Sequence, residues 1–424
     1  MDAVLGRLAE AMPELENVYR DLHAHPELAY AEYRTAKIVA DRLRVDGFDV
    51  YDGIGVTGVV GIRRNGDGPT VVLRADMDGL PVEEQTGLDY ASTATGLSEK
   101  GEVVPLMHAC GHDVHVTCLL GAVQVMSAAA DRWSGTLVAL FQPAEEGRGG
   151  ARAMIDDGLF DLIGKPDIIL GQHVFPTPAG TVGYRSGAIL SASDAFDIRV
   201  FGRGGHGSQP HSTVDPVVLA SSIVMRLQTI VSREIAPADR VALTVGSIQA
   251  GSTGNIISDH ADLIVSARSF DEGVAERVVA SIRRIVEAEC LASNSPKPPE
   301  FVELVGFKPT INDAESTDRV VQSLRARLGD EAVVEVEPYM GSEDFPEFGR
   351  SSGAPYVFWI LGGTDPDAYA EAEANGTLDS AIPTNHSPYF APVIQPTLTT
   401  GVTALVAAAM EWLSTNRPPN GREG

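Results

Sequence analysis

Apolar positions recur along the chain with two different periods, and the change from one to the other outlines the fold. Val4, Leu8, Met12, Leu15, Val18, Tyr19 and Leu22 recur every three to four residues among acids and arginines, the spacing of an amphipathic helix. Pro26 disfavours helical backbone at His25 and stops that run. A second helix is expected over about 31–44, with a charged outer face. Apolar segments with strand character follow at 56–60 and 70–74. A helix is expected from about 113 to 130, then a strand at 135–141, a helix at 151–158 and a strand at 167–170. Alternation of β and α segments predicts an α/β fold, a mostly parallel sheet with helices on both faces.

Past Gly187 the period becomes two. Ala195, Asp197 and Arg199 alternate with Phe196, Ile198 and Val200, as in a half-exposed strand. A helix at about 214–232, strands at 241–249 and 262–270, a helix at 273–289 and a strand at 301–304 complete a β-α-β-β-α-β series, the ferredoxin-like order. Each helix has one apolar stripe, which suits one face of an antiparallel sheet. Residues 187–306 are therefore expected to be an inserted α+β domain, interrupting a domain made of 1–186 and 307–424. After residue 307 come a helix at 316–328, strands at 333–337 and 356–361, and a final helix at about 397–413.

Composition narrows the function. The 424 residues are 44% hydrophobic and 21% charged, ordinary for a globular chain. The net charge of -26 argues against nucleic acid and against an anionic membrane surface. The N-terminus lacks the basic start and apolar core of a signal peptide, and no apolar run approaches the roughly 20 residues of a membrane span. Three cysteines, Cys110, Cys118 and Cys290, make no disulfide framework, so the cytoplasm is the expected compartment.

Candidate chemistry gathers where strands are expected to end. Asp76 and Asp78 follow one strand, Glu145 and Glu146 another, and Gly171-Gln172-His173 a third, the usual place for functional groups in α/β proteins. Between them lies Met107-His108-Ala109-Cys110-Gly111-His112-Asp113-Val114-His115, rich in the side chains that hold transition metals. Cys110 is open to two roles, nucleophile or ligand, and the ligand role accounts for more of its neighbours. Gly202-Arg203-Gly204-Gly205-His206-Gly207 matches a dinucleotide fingerprint, but Pro210 keeps a helix from starting inside it. It is better described as a glycine-rich loop carrying His206.

Leu22-His23-Ala24-His25-Pro26-Glu27, Arg74-Ala75-Asp76-Met77-Asp78, the Met107–Asp113 series, Gln142-Pro143-Ala144-Glu145-Glu146-Gly147, Gly171-Gln172-His173 and Gly341-Ser342-Glu343-Asp344-Phe345 occur in this order. The set resembles the M20 family of metallopeptidases and amidohydrolases over essentially the whole chain. The likeness is greatest to its aminoacylase, hippurate hydrolase and auxin-conjugate hydrolase branch. The resemblance implies two divalent metal ions (zinc, manganese or cobalt) on Cys110, His112, Glu146, His173 and His386, with Cys110 bridging. The residues after His386, Ser387-Pro388-Tyr389, depart from the expected pattern.

Glu145 falls on the family's general base, and His206 on a histidine that stabilises the oxyanion, often in a partner subunit's site. Asn255 and Arg268 fall on residues that hold the substrate carboxylate. Asp78, His108, Asp113 and His115 are expected to orient ligands or set their protonation, while Asp76 is not counted as a ligand. The implied activity is hydrolysis of small-molecule N-acyl-L-amino acids to a carboxylic acid and an amino acid, through a metal-bridged water. The implied assembly is a homodimer formed through the inserted domain. A dipeptidase or carboxypeptidase on the same scaffold is the alternative enzyme, and a catalytically silent metal-binding protein the alternative from another class.

Overall fold

The structure, a computed structural model, describes residues 2–98, 100–304 and 306–414. In chain order the principal elements are α1 (Leu8–Ala24), α2 (Tyr33–Val45), β1 (Asp49–Ile54), β2 (Gly58–Asn65), β3 (Thr70–Asp76), α3 (His112–Ala128), β4 (Gly135–Gln142), β5 (Ile168–Pro178) and β6 (Val182–Tyr184). Then come β7 (Ala192–Phe201), α4 (Pro216–Thr229), β8 (Val241–Ala250), β9 (His260–Ser269), α5 (Glu272–Ala292) and β10 (Glu300–Glu303). The chain ends with α6 (Ala314–Leu328), β11 (Val333–Glu335), β12 (Tyr356–Thr364) and α7 (Ile394–Leu413). Two compact units result: of the described residues, those up to 187, 311–337 and those from 344 form one, and those in 188–310 and 338–343 the other.

The first unit is built on an eight-stranded sheet of order β1-β2-β4-β3-β5-β12-β6-β11. Its centre, β4, β3, β5 and β12, is parallel throughout, with antiparallel β1 and β2 along one side. A parallel block must be covered on both faces. Val71, Leu73 and Ala75 of β3 join the core built with α1, α3 and α7, while Val72 and Arg74 on the other face are buried too. Helix α3 is buried nearly all round, so it shows no polar stripe. At Gly121 a Cβ would come within 2.7 Å of Val402 on α7 and 2.8 Å of Leu15 on α1, so glycine sets how closely the three helices approach.

Three expectations need correction. Strand β1 was not anticipated, because its mostly exposed residues leave no apolar alternation at the sheet edge. The strand expected at 56–60 starts at Gly58 and runs to Asn65, since Val56, with φ of 89°, belongs to the turn. Strand β5 continues through His173 to Pro178, because pairing with β12 persists (Ile360 opposite His173).

The second unit has an antiparallel sheet of order β8-β9-β7-β10. Phe196, Ile198, Val200, Leu263 and Val265 pack with Leu219 and Ile223 of α4 and Val278 and Ile282 of α5. The β-α-β-β-α-β order is that expected. Its extent differs: residues 307–310 stay in this unit and Pro338–Glu343 returns to it. The Ser191 hydroxyl donates to the carbonyls of Met340 (2.9 Å) and Gly341 (3.1 Å), which ties that return in place. Residues 415–424, expected to belong to the interrupted domain, lie outside the described residues.

Candidate active site

Because β4, β3 and β5 are parallel neighbours, their carboxyl ends open side by side. Strand β3 delivers Asp76 and, just beyond it, Asp78. Strand β4 leads into the turn with Glu145 and Glu146, and β5 carries His173. Cys110 precedes α3, whose first residue is His112. Gly111 between them has φ of 81°, and a Cβ there would lie 2.4 Å from Val174 Cγ1, so this junction accepts only glycine. His386, with φ of 70°, comes from the loop before α7.

Among the described residues of the first unit, three sets of donor atoms converge, the atoms of each lying within 4.8 Å of one another: Asp76, His112, His115 and His173; Cys110, Glu146 and His386; His112, Glu145 and Glu146. Cys110 Sγ lies 3.4 Å from His173 Nε2, so the thiol links the first set to the second. All five ligands implied by the resemblance are therefore brought together.

Hydrogen bonds decide which nitrogens are available to a cation. The His112 Nδ1 lies 3.2 Å from an Asp78 carboxylate oxygen and donates to it, which leaves Nε2 as the nitrogen where a cation would replace the proton. That Nε2 is buried and has no hydrogen-bond partner. His173 Nδ1 donates to the carbonyl of Val174 (2.9 Å), which turns its Nε2 lone pair toward Cys110. His115 differs: Nδ1 donates to Asp76 (2.5 Å) and Nε2 accepts from the Val174 N–H (2.8 Å), so both nitrogens are spent. His115 thus belongs to the scaffold although it stands among the donors. Glu146 Oε1 is buried without a hydrogen bond, although His386 Nε2 is 3.0 Å away.

The charge balance also calls for cations. Burial, then the carboxylates of Glu146, Glu145 and Asp76, push the Cys110 thiol well above its ordinary pKa. Burial pulls His112 down, but Asp76, Asp78 and Glu146 outweigh it and hold the ring at about 10. A site so rich in acids, with a buried imidazole nitrogen and a carboxylate oxygen that make no hydrogen bond among the described residues, and with a thiol, fits two divalent transition-metal ions.

Asp76, left without a role by the sequence, proves to be a hub. Its carboxylate accepts from His115 and from the buried Arg74 guanidinium (2.7 Å). Burial raises its pKa, but Arg74, His112 and His115 hold it well below the usual range. Arg74 also donates to Gln142 (2.8 Å) and Asp344 (3.3 Å). Arg74 and Asp76 share a strand face, a spacing that the sequence does display. The Asn385 amide, not anticipated, donates to the carbonyls of Cys110 (3.2 Å) and Val174 (3.0 Å) and ties the His386 loop to the thiol.

Glu145 and Glu146 leave the end of β4 through a turn set by Ala144, a buried non-glycine residue with φ of 52° and ψ of 43°, and a carboxylate oxygen of each comes within 4.8 Å of the other and of a His112 nitrogen. Left-handed backbone costs an ordinary residue about 1–2 kcal/mol, so the surroundings must impose it. Asp78 accepts from the amides of Glu145 (3.1 Å) and Glu146 (2.9 Å) while also receiving His112.

Two expectations about the opening motif are revised. His108 orients no ligand: both of its ring nitrogens are buried without hydrogen bonds, and burial lowers its pKa to about 4. Asp113 orients none either. It accepts from His23 Nδ1 (2.6 Å) and from the Val114 amide (2.9 Å), and so ties α1 to the start of α3.

His206, Asn255 and Arg268 lie in the second unit. His206 pairs with Ile256 in a short exposed ladder, and the carbonyl of Asn255 accepts from the Gly207 amide (2.8 Å), so these two are neighbours. His206 Nδ1 accepts from the Ser208 amide (3.1 Å), which places the proton of the neutral ring on Nε2. Arg268, on β9, donates to the Met340 carbonyl (2.9 Å) and the Ser342 hydroxyl (2.6 Å).

Comparison with known proteins agrees with this geometry. A thermostable carboxypeptidase of Saccharolobus solfataricus is 40% identical over 367 residues, 84% of this chain and 89% of its own. A hippurate hydrolase of Campylobacter jejuni is 37% identical over 358 residues, 84% of this chain and 90% of its own. The crystal structure of a Bacillus subtilis protein described as a dinuclear metal-binding peptidase of the M20 family superposes with a TM-score of 0.75 at 27% identity, covering 95% of this chain and 99% of that one. Residues 72–384 match the sequence profile of peptidase family M20/M25/M40, and these matches over most of the chain, on the same strand ends that carry the donor cluster, show that the protein belongs to that family.

Proposed function

We propose that the protein is a metal-dependent amidohydrolase that cleaves N-acyl-L-amino acids to a carboxylic acid and a free amino acid. The observation that carries this is the turn at Ala144, from which Glu146 reaches the Cys110–His386 donors and Glu145 reaches His112. Two divalent ions on Cys110, His112, Glu146, His173 and His386 would polarise the amide carbonyl and lower the pKa of water. Glu145 takes the proton of the attacking water and passes it to the departing nitrogen, so that a C–O bond forms as the C–N bond breaks. His206, protonated on Nε2, is assigned the donor role toward the oxyanion. Arg268, with its planar fork, and Asn255 are assigned to the substrate carboxylate.

The Campylobacter relative, by its name, hydrolyses an N-acyl amino acid, which supports the acyl substrate class. The Saccharolobus relative favours a second reading, a carboxypeptidase. Both would cut an amide whose amine side carries a free carboxylate. A homodimer through the second unit is supported by exposed Val217, Val218 and Met225 on α4 and by the outer edge of β8. Three unpaired buried cysteines suit a cytoplasmic location. Zinc, manganese and cobalt all suit the donor set.

Purified protein loaded with each metal and offered N-acetyl, N-benzoyl and long-chain acyl amino acids beside dipeptides tests the proposal. Amino acid should be released from an N-acyl substrate, lost with chelator and regained with metal. Bound metal with no hydrolysis of any amide contradicts it.

A further inference from the structure

Glu32 stands at the start of α2, yet it does not cap that helix. Glu27 does so instead, accepting from the amides of Arg34 (2.9 Å) and Thr35 (2.8 Å). The Glu32 carboxylate is thereby free to point inward, where it is fully buried. One oxygen accepts from the Ala144 amide (2.8 Å) and the other from the Thr57 hydroxyl (2.5 Å). Ala144 is the left-handed residue just before Glu145. Three successive amides, those of residues 144, 145 and 146, are thus taken up by two buried carboxylates, Glu32 and Asp78. The Gly150 amide closes the other side of the turn on the Ala144 carbonyl (3.0 Å).

A buried carboxylate costs free energy unless something needs it. Here the neighbouring backbone does. Without an acceptor at this place the Ala144 N–H would be orphaned and the residue would relax out of its strained conformation. Relaxation at residue 144 rotates the peptide that follows and redirects Glu145 and Glu146 together.

We propose that Glu32 is a positioning residue for the reaction: its carboxylate holds Ala144 in the left-handed conformation from which Glu145 and Glu146 are together presented to the donor cluster. This rests on the roles given to those two residues above. Glu32 belongs to none of the donor sets described above and acts through the backbone amide of Ala144.

The test compares Glu32→Leu, Glu32→Gln and the double variant Glu32→Leu/Ala144→Gly with wild type. Leucine removes the acceptor, glutamine keeps one, and glycine adopts left-handed backbone without cost. In Glu32→Leu with full metal content, kcat should fall about 100-fold with KM little changed, as expected for a misplaced reacting group. Glu32→Gln should recover most of that loss, and Ala144→Gly should recover part of it. A wild-type kcat in Glu32→Leu at full metal content, or a loss matched by lost folded protein, overturns the proposal. The visible spectrum of the cobalt-loaded protein reads the geometry at Glu146 without any turnover. It should change in Glu32→Leu and return in Glu32→Gln. Unchanged spectra overturn the positioning role. Spectra that change as expected, beside a wild type inactive on every amide, count against the proposed activity alone.

Discussion

Asp78 and His112 are joined by a 3.2 Å contact between a carboxylate oxygen and Nδ1, and the same carboxylate accepts the amides of Glu145 and Glu146. One side chain therefore fixes the tautomer of a proposed ligand and the turn that bears the proposed base. Partners that orient metal ligands are worth about 10- to 100-fold in affinity. Asp78→Ala should weaken metal binding by that factor in a calorimetric titration, and kcat of the reloaded enzyme should still be low because the Glu145 amide has lost its acceptor. Wild-type metal affinity in this variant would show that His112 needs no such partner.

Cys110 lies between His173 on one side and Glu146 with His386 on the other. A residue shared by two ions takes both down when it is lost. Cys110→Ala should lose metal, measured by elemental analysis after gel filtration, together with activity. Two ions per chain retained in the variant would rule out a bridging role.

His23 offers a pH signature away from the donors. Its Nδ1 donates to Asp113 (2.6 Å) and its Nε2 to Glu84 (3.1 Å), both carboxylates, so both nitrogens carry protons. Burial lowers its pKa, but the bonds to Asp113 and Glu84 outweigh burial and hold it at about 9, against an ordinary 6.5. A raised folded value means that the stabilisation is complete below about 6.5 and is lost as the pH rises through about 9. His23→Gln should be clearly less stable than wild type to urea at pH 6, and the gap should narrow toward pH 9.5. A gap independent of pH would mean that the imidazolium contributes no charge-dependent stability.

Much of this was legible in the sequence, for a physical reason. Strands of a parallel block are unbroken apolar runs, and the residues that follow them stand out by polarity, so Asp76, Asp78, Glu145, Glu146 and His173 were found from position alone. Hydrogen-bond partners across long sequence separations were not. Nothing in the local sequence pairs Glu32 with Ala144 or Arg74 with Asp344, because those contacts exist only once the sheet has formed. His108 and Asp113 were misjudged for the same reason. Nearness to Cys110 in sequence suggested service to the ligands, whereas α3 turns Asp113 toward His23, and the ring of His108 makes no hydrogen bond among the described residues. The exposed edge strand β1 was missed because an edge need not alternate.

The most direct measurement is turnover of an N-acyl amino acid by Glu145→Gln at measured metal content. Gln keeps the shape of the side chain and removes its capacity to take a proton. Metal should remain as in wild type while kcat falls by about two to four orders of magnitude, the usual contribution of a general base. A kcat close to wild type at that metal content would contradict the assignment of Glu145.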